Sequence, residues 1–192
     1  MNKQEDTMKK CLISEAEALL KIAESIDETS VELAGTIAAC KGKIVFTGVG
    51  KSFIVSSKIA GTLSSIGISS TALNPLSLLH GDLGFLDSED IVIALSNSGE
   101  TAILIDTLKC IRSLDIDILS ITGNKCSTIA GLSTVTVEIK TTEYGPFGLV
   151  PTTSTTAMMA YGDALACMIV DLLDLKRDAF YKNHPGNFAT HL

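Results

Sequence analysis

The sequence has no tryptophan, few aromatic residues and few charges, and these absences exclude several classes of protein. Of the 192 residues, 5% are aromatic and 19% are charged, with 22 acidic side chains against 15 basic ones. The net charge of −7 argues against a nucleic-acid-binding surface, which needs clustered basic residues. An anionic ligand must therefore be held by a locally positive site, such as helix N-termini and a placed lysine.

Paired cysteines and long apolar runs are missing as well. The five cysteines include no Cys-x-x-Cys spacing, and their odd number is typical of reduced thiols in a cytoplasmic protein. No uninterrupted apolar run approaches the length that spans a membrane, and the polar first residues lack the apolar core of a signal peptide. We therefore expect a cytoplasmic protein with no membrane partner.

The sequence does have short apolar runs that alternate with stretches of helical periodicity. The runs predict strands at residues 43–47, 69–73, 91–95, 117–121 and 135–139. The periodic stretches predict helices at about 52–66, 101–114 and 155–173, with short helical turns elsewhere. This alternation indicates a doubly wound α/β fold, in which a five-stranded parallel sheet is the middle layer of an αβα sandwich.

The N-terminal residues 1–40 show helical spacing and predict one long helix, or two that join near residues 27–30. We expect this segment to pack on the α/β domain, residues 41–192, or on a neighbouring subunit. With 46% hydrophobic residues, the chain has more apolar surface than one sheet face needs, which favours a sheet covered on both faces and a subunit interface.

A hydroxyl-rich turn, Ser-Asn-Ser-Gly-Glu-Thr at residues 96–101, stands between the third predicted strand and the helix after it. The first N–H groups of a helix have no partner within the helix, and the helix dipole favours an anion there. Ser96, Ser98 and Thr101 add hydroxyl donors, and the glycine lets the backbone approach closely. The turn lacks the long glycine-rich cradle of a nucleotide-binding loop, so it predicts a site for one phosphate; an ordinary serine-rich helix cap is the alternative.

A second turn, Gly-Val-Gly-Lys-Ser at residues 48–52, occupies the equivalent place after the first strand. Ser52 can donate to an anion from the start of the helix, and Lys51 supplies a cation, although it could equally be a solvated loop lysine. Ligands of doubly wound sheets bind outside the carboxyl ends of the strands. We therefore expect the two turns, together with residues 122–124, to surround one ligand site.

Three further side chains could take part in acid–base chemistry, each with an ordinary structural alternative. His80 lies in a constrained His-Gly-Asp loop that it could simply brace, and no second histidine or cysteine stands at metal-ligand spacing. Glu143 is flanked by two aromatic residues and a proline, which we expect to desolvate its carboxylate and raise its pKa toward that of a working base. His184 precedes a Pro-Gly turn, although a histidine in a terminal segment is usually solvent-exposed.

Taken in order, these motifs resemble the SIS (sugar isomerase) domain family, and within it the D-arabinose 5-phosphate isomerases. The matching pieces are Gly-Val-Gly-Lys-Ser at 48–52, His-Gly-Asp-Leu-Gly at 80–84, Ser-Asn-Ser-Gly-Glu at 96–100, Leu-Val-Pro-Thr-Thr-Ser-Thr-Thr at 149–156, Gly-Asp-Ala-Leu-Ala at 162–166 and His-Pro-Gly at 184–186. The serine motif is typical of SIS domains in general, and the two histidine motifs are typical of the arabinose 5-phosphate subgroup. The resemblance implies a flavodoxin-like SIS fold.

The resemblance implies an aldose–ketose isomerase that interconverts D-arabinose 5-phosphate and D-ribulose 5-phosphate through a cis-enediol, without a cofactor or metal. Its product would supply 3-deoxy-D-manno-octulosonate for lipopolysaccharide or capsule. It also implies a homotetramer with shared active sites, so that His80 or His184 can serve a neighbour's site.

The resemblance also assigns the site residues. The phosphate-binding residues would be Ser52, Ser96, Ser98 and Thr101, and the other substrate-binding residues Gly50, His80 and Asn97. The acid–base candidates would be Lys51, Glu100, Glu143 and His184. As a hypothesis, Glu143 is the base at C1 and C2, His184 opens the ring or moves a proton between oxygens, and Lys51 stabilises the enediolate charge. Glu100 would position a sugar hydroxyl or relay a proton, or only favour the helix dipole.

The chain departs from the family pattern in ways that concern regulation and substrate. Longer members carry two CBS domains after the His-Pro-Gly segment, and this sequence ends at Leu192, so we expect no regulation through such domains. Phe53 and Asn187 stand where the family commonly has glycine. The alternatives are another sugar-phosphate isomerase, such as a 3-hexulose-6-phosphate isomerase, and a non-catalytic sugar-phosphate sensor. DNA binding is not expected, because no basic recognition helix is present.

Overall fold

The central element of the molecule is one parallel sheet of five strands. The structure is a computed structural model that describes residues 2–184, apart from the side chain of Ala179. The strands are β1 (Ile44–Gly48), β2 (Ser70–Ala72), β3 (Ile91–Ser96), β4 (Asp117–Thr122) and β5 (Val135–Glu138). They lie in the order β2-β1-β3-β4-β5, and every adjacent pair is parallel. The predicted five-stranded parallel sheet is confirmed.

Helices cover both faces of the sheet. Those in the described residues are α1 (Lys3–Glu24), α2 (Glu28–Ala39), α3 (Lys51–Ser65), α4 (Pro75–Leu79), α5 (Ala102–Arg112), α6 (Thr128–Leu132), α7 (Thr153–Leu172) and α8 (Arg177–Asn183). One core joins α2, α3 and α7 to the sheet, and a second core joins α4, α5 and α6 to the opposite face. The predicted three-layer αβα sandwich is confirmed.

Strands β1 and β3 are largely apolar because each faces a core on both sides. Along β1, Ile44 and Phe46 point into the first core, and Val45 between them points into the second. All five residues of β1 are buried, as are all six of β3. A strand of this kind gives a continuous apolar run, and such runs predicted the strands from the sequence.

The N-terminal segment forms two helices, one of the two arrangements that the periodicity allowed. The break falls at Asp27, whose carboxylate accepts the backbone N–H groups of Thr29 and Ser30 and so begins α2. Helix α2 buries Leu33, Ala34 and Ile37 in the first core. Helix α1 contacts α7 but has no buried residue.

Helix α7 is the longest apolar helix of the domain. By length and composition alone it could cross a membrane, but one of its faces packs in the first core and it contacts α1, α2 and α3. Gly162 brings it close to α3, because a Cβ atom there would lie 2.4 Å from the Ile59 side chain. This packing buries one face of α7, and 39% of its most apolar stretch is buried within the chain.

Helix α8 was not predicted. It has seven residues, and its side chains at positions 177, 178, 180, 181 and 182 are exposed. A short exposed helix has no apolar face to repeat at helical spacing, so no periodicity marks it in the sequence.

Candidate functional site

A cleft of about 350 Å³ opens at the carboxyl ends of β1 and β3. The chain runs from β1 to β2 on one side and returns to β3 on the other, so the strand order reverses between β1 and β3. This switch point is where doubly wound sheets bind ligands. The residues that line the cleft are Val49, Lys51, Ser52, Asn97, Glu143, Gly148, Leu149, Pro151, Ser154, Thr155 and Met158. Four residues predicted from the sequence therefore meet here: Lys51, Ser52, Asn97 and Glu143.

The turn between β1 and α3 places a helix N-terminus at the cleft. Gly50 is the N-cap of α3 with φ of +60°, a conformation that side chains disfavour. The Ser52 and Phe53 N–H groups donate to the carbonyl groups of Val49 and Gly50, so it is the helix dipole, with the side chains of the first turn, that favours an anion here. Lys51 is exposed in this turn and makes no ion pair within residues 2–184. This arrangement is suited to a negative charge.

The serine-rich turn after β3 is shaped by its own hydroxyl groups. Ser96 is 4% exposed, and its Oγ accepts the Gly99 N–H at 3.1 Å and shares a hydrogen bond with the Thr101 hydroxyl at 3.1 Å. The exposed Ser98 accepts the Glu100 N–H at 3.2 Å. Thr101 is the N-cap of α5 but makes no side-chain cap, which leaves the first turn of α5 open. Ser96 thus fixes the turn, and the phosphate prediction for the turn remains a prediction.

The carboxylate of Glu143 lies against the first N–H groups of α7. The prediction that the pKa of Glu143 is raised is wrong. Burial alone would raise the pKa of the carboxyl group, but hydrogen bonds from the Ser154 side chain and from the backbone of Thr152, Ser154 and Thr153 outweigh burial and lower it. The aromatic side chains that were expected to desolvate Glu143 are themselves exposed, Phe147 by 92% and Tyr144 by 37%. The carboxylate is therefore held in its charged form by the N-terminus of α7.

Glu100 lies outside the cleft lining. Its carboxylate accepts the Thr128 backbone N–H at 2.8 Å and the Thr128 hydroxyl at 2.8 Å, at the start of α6. The same two hydrogen bonds lower the pKa of Glu100. In this structure Glu100 ties the serine-rich turn to α6, which is a helix-capping arrangement rather than a contact with the cleft.

Neither predicted histidine reaches the cleft of its own chain. His80 is exposed at the end of α4, on the opposite face of the sheet from α3 and α7. His184 stacks on Phe180 with ring centres 3.9 Å apart, and its Nδ1 lies 2.9 Å from the Phe180 carbonyl oxygen. The neighbouring Asn183 donates to carbonyl groups of Ser64 and Ser65. His184 therefore sits at the C-terminal end of α3, whereas Lys51 is at its N-terminus.

Two hydroxyl residues of the cleft were not among the predicted site residues. Ser154 and Thr155 lie in the first turn of α7 and line the cleft. The row of hydroxyl residues at 152–156 was the available signal, but helix capping explains such a row equally well. Within residues 2–184, no three His, Cys, Asp or Glu side chains come together in a way that could hold a metal ion.

The fold and the cleft define a doubly wound α/β domain with a cleft at the β1–β3 switch point. The chain belongs to the SIS domain family, whose sequence model matches residues 37–168. It is 37% identical over 173 residues to the arabinose 5-phosphate isomerase KdsD of Pseudomonas aeruginosa, and 35% identical over 179 residues to that of Escherichia coli K12. These matches cover 90% and 93% of this chain but 53% and 55% of the relatives, so the chain spans about half of their length.

A solved structure resembles nearly the whole chain. The Escherichia coli CFT073 protein c3406, in complex with arabinose 5-phosphate, superimposes with a TM-score of 0.91 at 34% sequence identity. The match covers 96% of this chain and 100% of c3406.

Proposed function

We propose that this chain is a sugar-phosphate isomerase that interconverts D-arabinose 5-phosphate and D-ribulose 5-phosphate. The observation that carries the proposal is that the Glu143 carboxylate and Lys51 line the same cleft, at the N-termini of α7 and α3 respectively. A base and a cation beside a helix N-terminus are what isomerisation of a phosphorylated sugar requires. The relatives named arabinose 5-phosphate isomerase and the sugar-phosphate complex of c3406 support this choice of sugar.

The residues divide between holding the phosphate and moving protons. The phosphate is held at the N-termini of α3 and α5 by Ser52, Ser98 and Thr101, with Ser96 and Gly50 shaping the two turns. Asn97, which lines the cleft, contacts the sugar. Because Glu100 is engaged at α6, we assign it to holding the serine-rich turn rather than to proton transfer.

The chemistry is a proton transfer between adjacent carbons. Glu143 removes the proton from C2 of the open-chain aldose, and the electron pair of the C–H bond forms the C1–C2 double bond of the enediolate. Lys51 stabilises the negative charge that develops on the oxygen. The proton of the C2 hydroxyl passes to the C1 oxygen, and return of the carbon-bound proton to C1 gives the ketose. A carboxylate that is held in its charged form at neutral pH is ready to act as the base.

We assign His184 to the site of a neighbouring subunit. Helix α3 has 15 residues, so its two ends are about 20 Å apart, and His184 lies at the end remote from Lys51. An oligomer could bring this histidine, or the exposed His80, to another chain's cleft. The exposed apolar side chains of α1 also favour an oligomer. Met8 is 70% exposed, Leu12 and Leu20 are each 66% exposed, and α1 has no buried residue. We propose the homotetramer on these grounds.

The wider biological setting follows from the proposed reaction. Ribulose and arabinose 5-phosphates are metabolites of the cytoplasm, and all five cysteines of this chain are free thiols, which suits that compartment. We propose that the aldose phosphate is used to build 3-deoxy-D-manno-octulosonate for a surface polysaccharide.

A substrate panel tests the proposal. Purified protein is incubated separately with D-arabinose 5-phosphate, D-ribose 5-phosphate and 3-hexulose 6-phosphate, and the products are identified by NMR. The proposal predicts that ribulose 5-phosphate forms fastest from the arabinose compound. Preferential turnover of the hexulose compound would assign the site to a six-carbon isomerase. Saturable binding of all three without turnover would indicate a sensor.

A further inference from the structure

The two oxygens of the Glu143 carboxylate are bound unequally. Oε2 accepts three hydrogen bonds: the backbone N–H groups of Thr152 and Thr153, both at 2.9 Å, and the Thr152 hydroxyl at 3.3 Å. Oε1 accepts the Ser154 N–H at the longer distance of 3.3 Å, and the Ser154 hydroxyl, in a residue that lines the cleft, also donates to the carboxylate. Oε2 therefore carries the two short backbone hydrogen bonds, and Oε1 accepts its backbone hydrogen bond more weakly.

The loop before α7 fixes the Thr152 hydroxyl against this carboxylate. A Cβ atom at Gly145 would lie 2.5 Å from the Val150 carbonyl oxygen and 2.9 Å from the Thr152 side chain, so the loop closes on itself at this glycine. Thr152 is the N-cap of α7, but its side chain makes no cap hydrogen bond to the helix. Its hydroxyl donates to Glu143 instead.

Thr152 is not among the residues that line the cleft, whereas Glu143 is. The Thr152 hydroxyl donates to Glu143, so removing this hydroxyl alone acts on the cleft through Glu143. A hydrogen bond donated to a carboxylate is stronger when the carboxylate is charged than when it is protonated. The Thr152 hydroxyl therefore favours the ionised form that a base needs.

We propose that Thr152 is a positioning residue that anchors Oε2 of Glu143 and leaves Oε1 to take the substrate proton. The inference rests on the proposed isomerase function. In the step concerned, the C2–H bond of the aldose breaks, its electron pair enters the C1–C2 bond, the carbonyl electron pair moves to the C1 oxygen, and the proton goes to Oε1. The C2 hydroxyl proton then passes to the C1 oxygen, and the proton on Oε1 returns to C1. Anchoring one oxygen fixes the direction in which the other accepts the proton.

The anchoring is tested first without substrate. The carboxyl carbons of glutamate are labelled with ¹³C, the Glu143 signal is identified by its loss in Glu143→Gln, and its titration is followed by NMR. Removing the donor in Thr152→Val should move the midpoint to higher pH, because the charged form loses a hydrogen bond. Thr152→Ser keeps the hydroxyl and should titrate as the wild type does. So should the control Thr36→Val, which removes a hydroxyl that donates within α2.

Kinetics with D-arabinose 5-phosphate then test the role in the reaction. Thr152→Val should lower kcat about tenfold, leave KM nearly unchanged and move the acidic limb of the kcat/KM profile to higher pH, with rescue by Thr152→Ser. Normal kinetics and titration of a folded Thr152→Val protein would overturn the proposal. If the wild type does not turn over this sugar while the titrations still separate the variants, the isomerase function fails and the anchoring of Glu143 stands.

Discussion

At the residue scale, the account depends most on Glu143, whose charge is stabilised by the first turn of α7. Glu143→Gln keeps the shape and part of the hydrogen bonding but removes the base. We expect kcat to fall by about 10² to 10⁴, with a loss of stability of about 1 to 2 kcal/mol because the uncharged amide accepts the α7 N–H groups less well. The matched control is Glu17→Gln, an exposed position on α1, which should keep wild-type activity. Retention of most of the kcat by Glu143→Gln would show that another group is the base.

A second prediction at this scale concerns the buried hydroxyl of Tyr161. The side chain is 4% exposed, and its hydroxyl makes no hydrogen bond of normal geometry among residues 2–184. Burial raises the pKa of this hydroxyl, and Ser30 is a polar neighbour that only partly offsets the effect. Removing a poorly paired buried hydroxyl relieves its desolvation cost, so Tyr161→Phe should leave the free energy of unfolding unchanged or raise it by about 1 kcal/mol.

Ser120→Ala is the contrast to that variant. The Ser120 hydroxyl is fully buried and lies 2.8 Å from the Thr136 hydroxyl, so its removal should cost about 1 kcal/mol. Urea unfolding measures both variants. A loss of stability in Tyr161→Phe as large as in Ser120→Ala would show that the tyrosine hydroxyl has a full hydrogen-bond partner.

At the scale of elements, the contact between α3 and α7 controls the cleft, because these two helices carry Lys51 and the anchor of Glu143. Gly162→Ala places a methyl group 2.4 Å from Ile59 and should destabilise the protein by about 2 kcal/mol. Gly61→Ala, within α3, meets no atom within 4 Å and should be stabilising by about 0.5 kcal/mol. Thermal unfolding of the two variants tests the contact, and equal melting temperatures would contradict it.

The ends of β1 and β3 remote from the cleft are joined by Asp90. This side chain is 1% exposed and accepts the Lys43 backbone N–H at 2.7 Å, the Lys43 ammonium group and the Asp87 N–H. Burial would raise the pKa of Asp90, but the hydrogen bonds with Lys43 and Asp87 outweigh burial and lower it. Because the pKa is lower in the folded state, this stabilisation is present above the unfolded pKa and is lost as pH falls through the folded value.

Asp90→Asn should therefore cost about 2 kcal/mol at pH 7, and the difference from the wild type should shrink below pH about 4, the usual pKa of an aspartate. Urea unfolding at several pH values measures this. A difference that stays constant down to pH about 2, well below that usual pKa, would show that the charge of Asp90 contributes nothing.

The central strands of the sheet could be predicted from the sequence, because strands buried on both faces give continuous apolar runs. The boundaries of β1 and β3 followed from this pattern to within one residue. The direction of the pKa shift of Glu143 could not be predicted, because it depends on N–H groups nine to eleven residues further along the chain. The engagement of Glu100 with Thr128, 28 residues away, is likewise a tertiary contact with no local pattern.

At the scale of the whole molecule, the proposed active site combines residues of two chains, since His184 and Lys51 of one chain lie at opposite ends of α3. Lys51→Met and His184→Ala should each abolish most activity when purified alone. Mixed oligomers, refolded together from the two variants, should regain part of the activity, because some sites then combine an intact Lys51 with an intact His184 of another chain. No recovery in confirmed mixed oligomers would contradict shared sites.

The most direct test of the central claim is isomerisation of D-arabinose 5-phosphate in D₂O, followed by NMR. The account predicts that ribulose 5-phosphate forms and that recovered arabinose 5-phosphate carries deuterium at C2, with both changes lost in Glu143→Gln. If the ketose formed and neither sugar phosphate took up deuterium from the solvent, the result would indicate direct hydride transfer and contradict a glutamate base. Sugar that binds yet neither exchanges nor isomerises would contradict the claim that this SIS domain is an enzyme for that sugar.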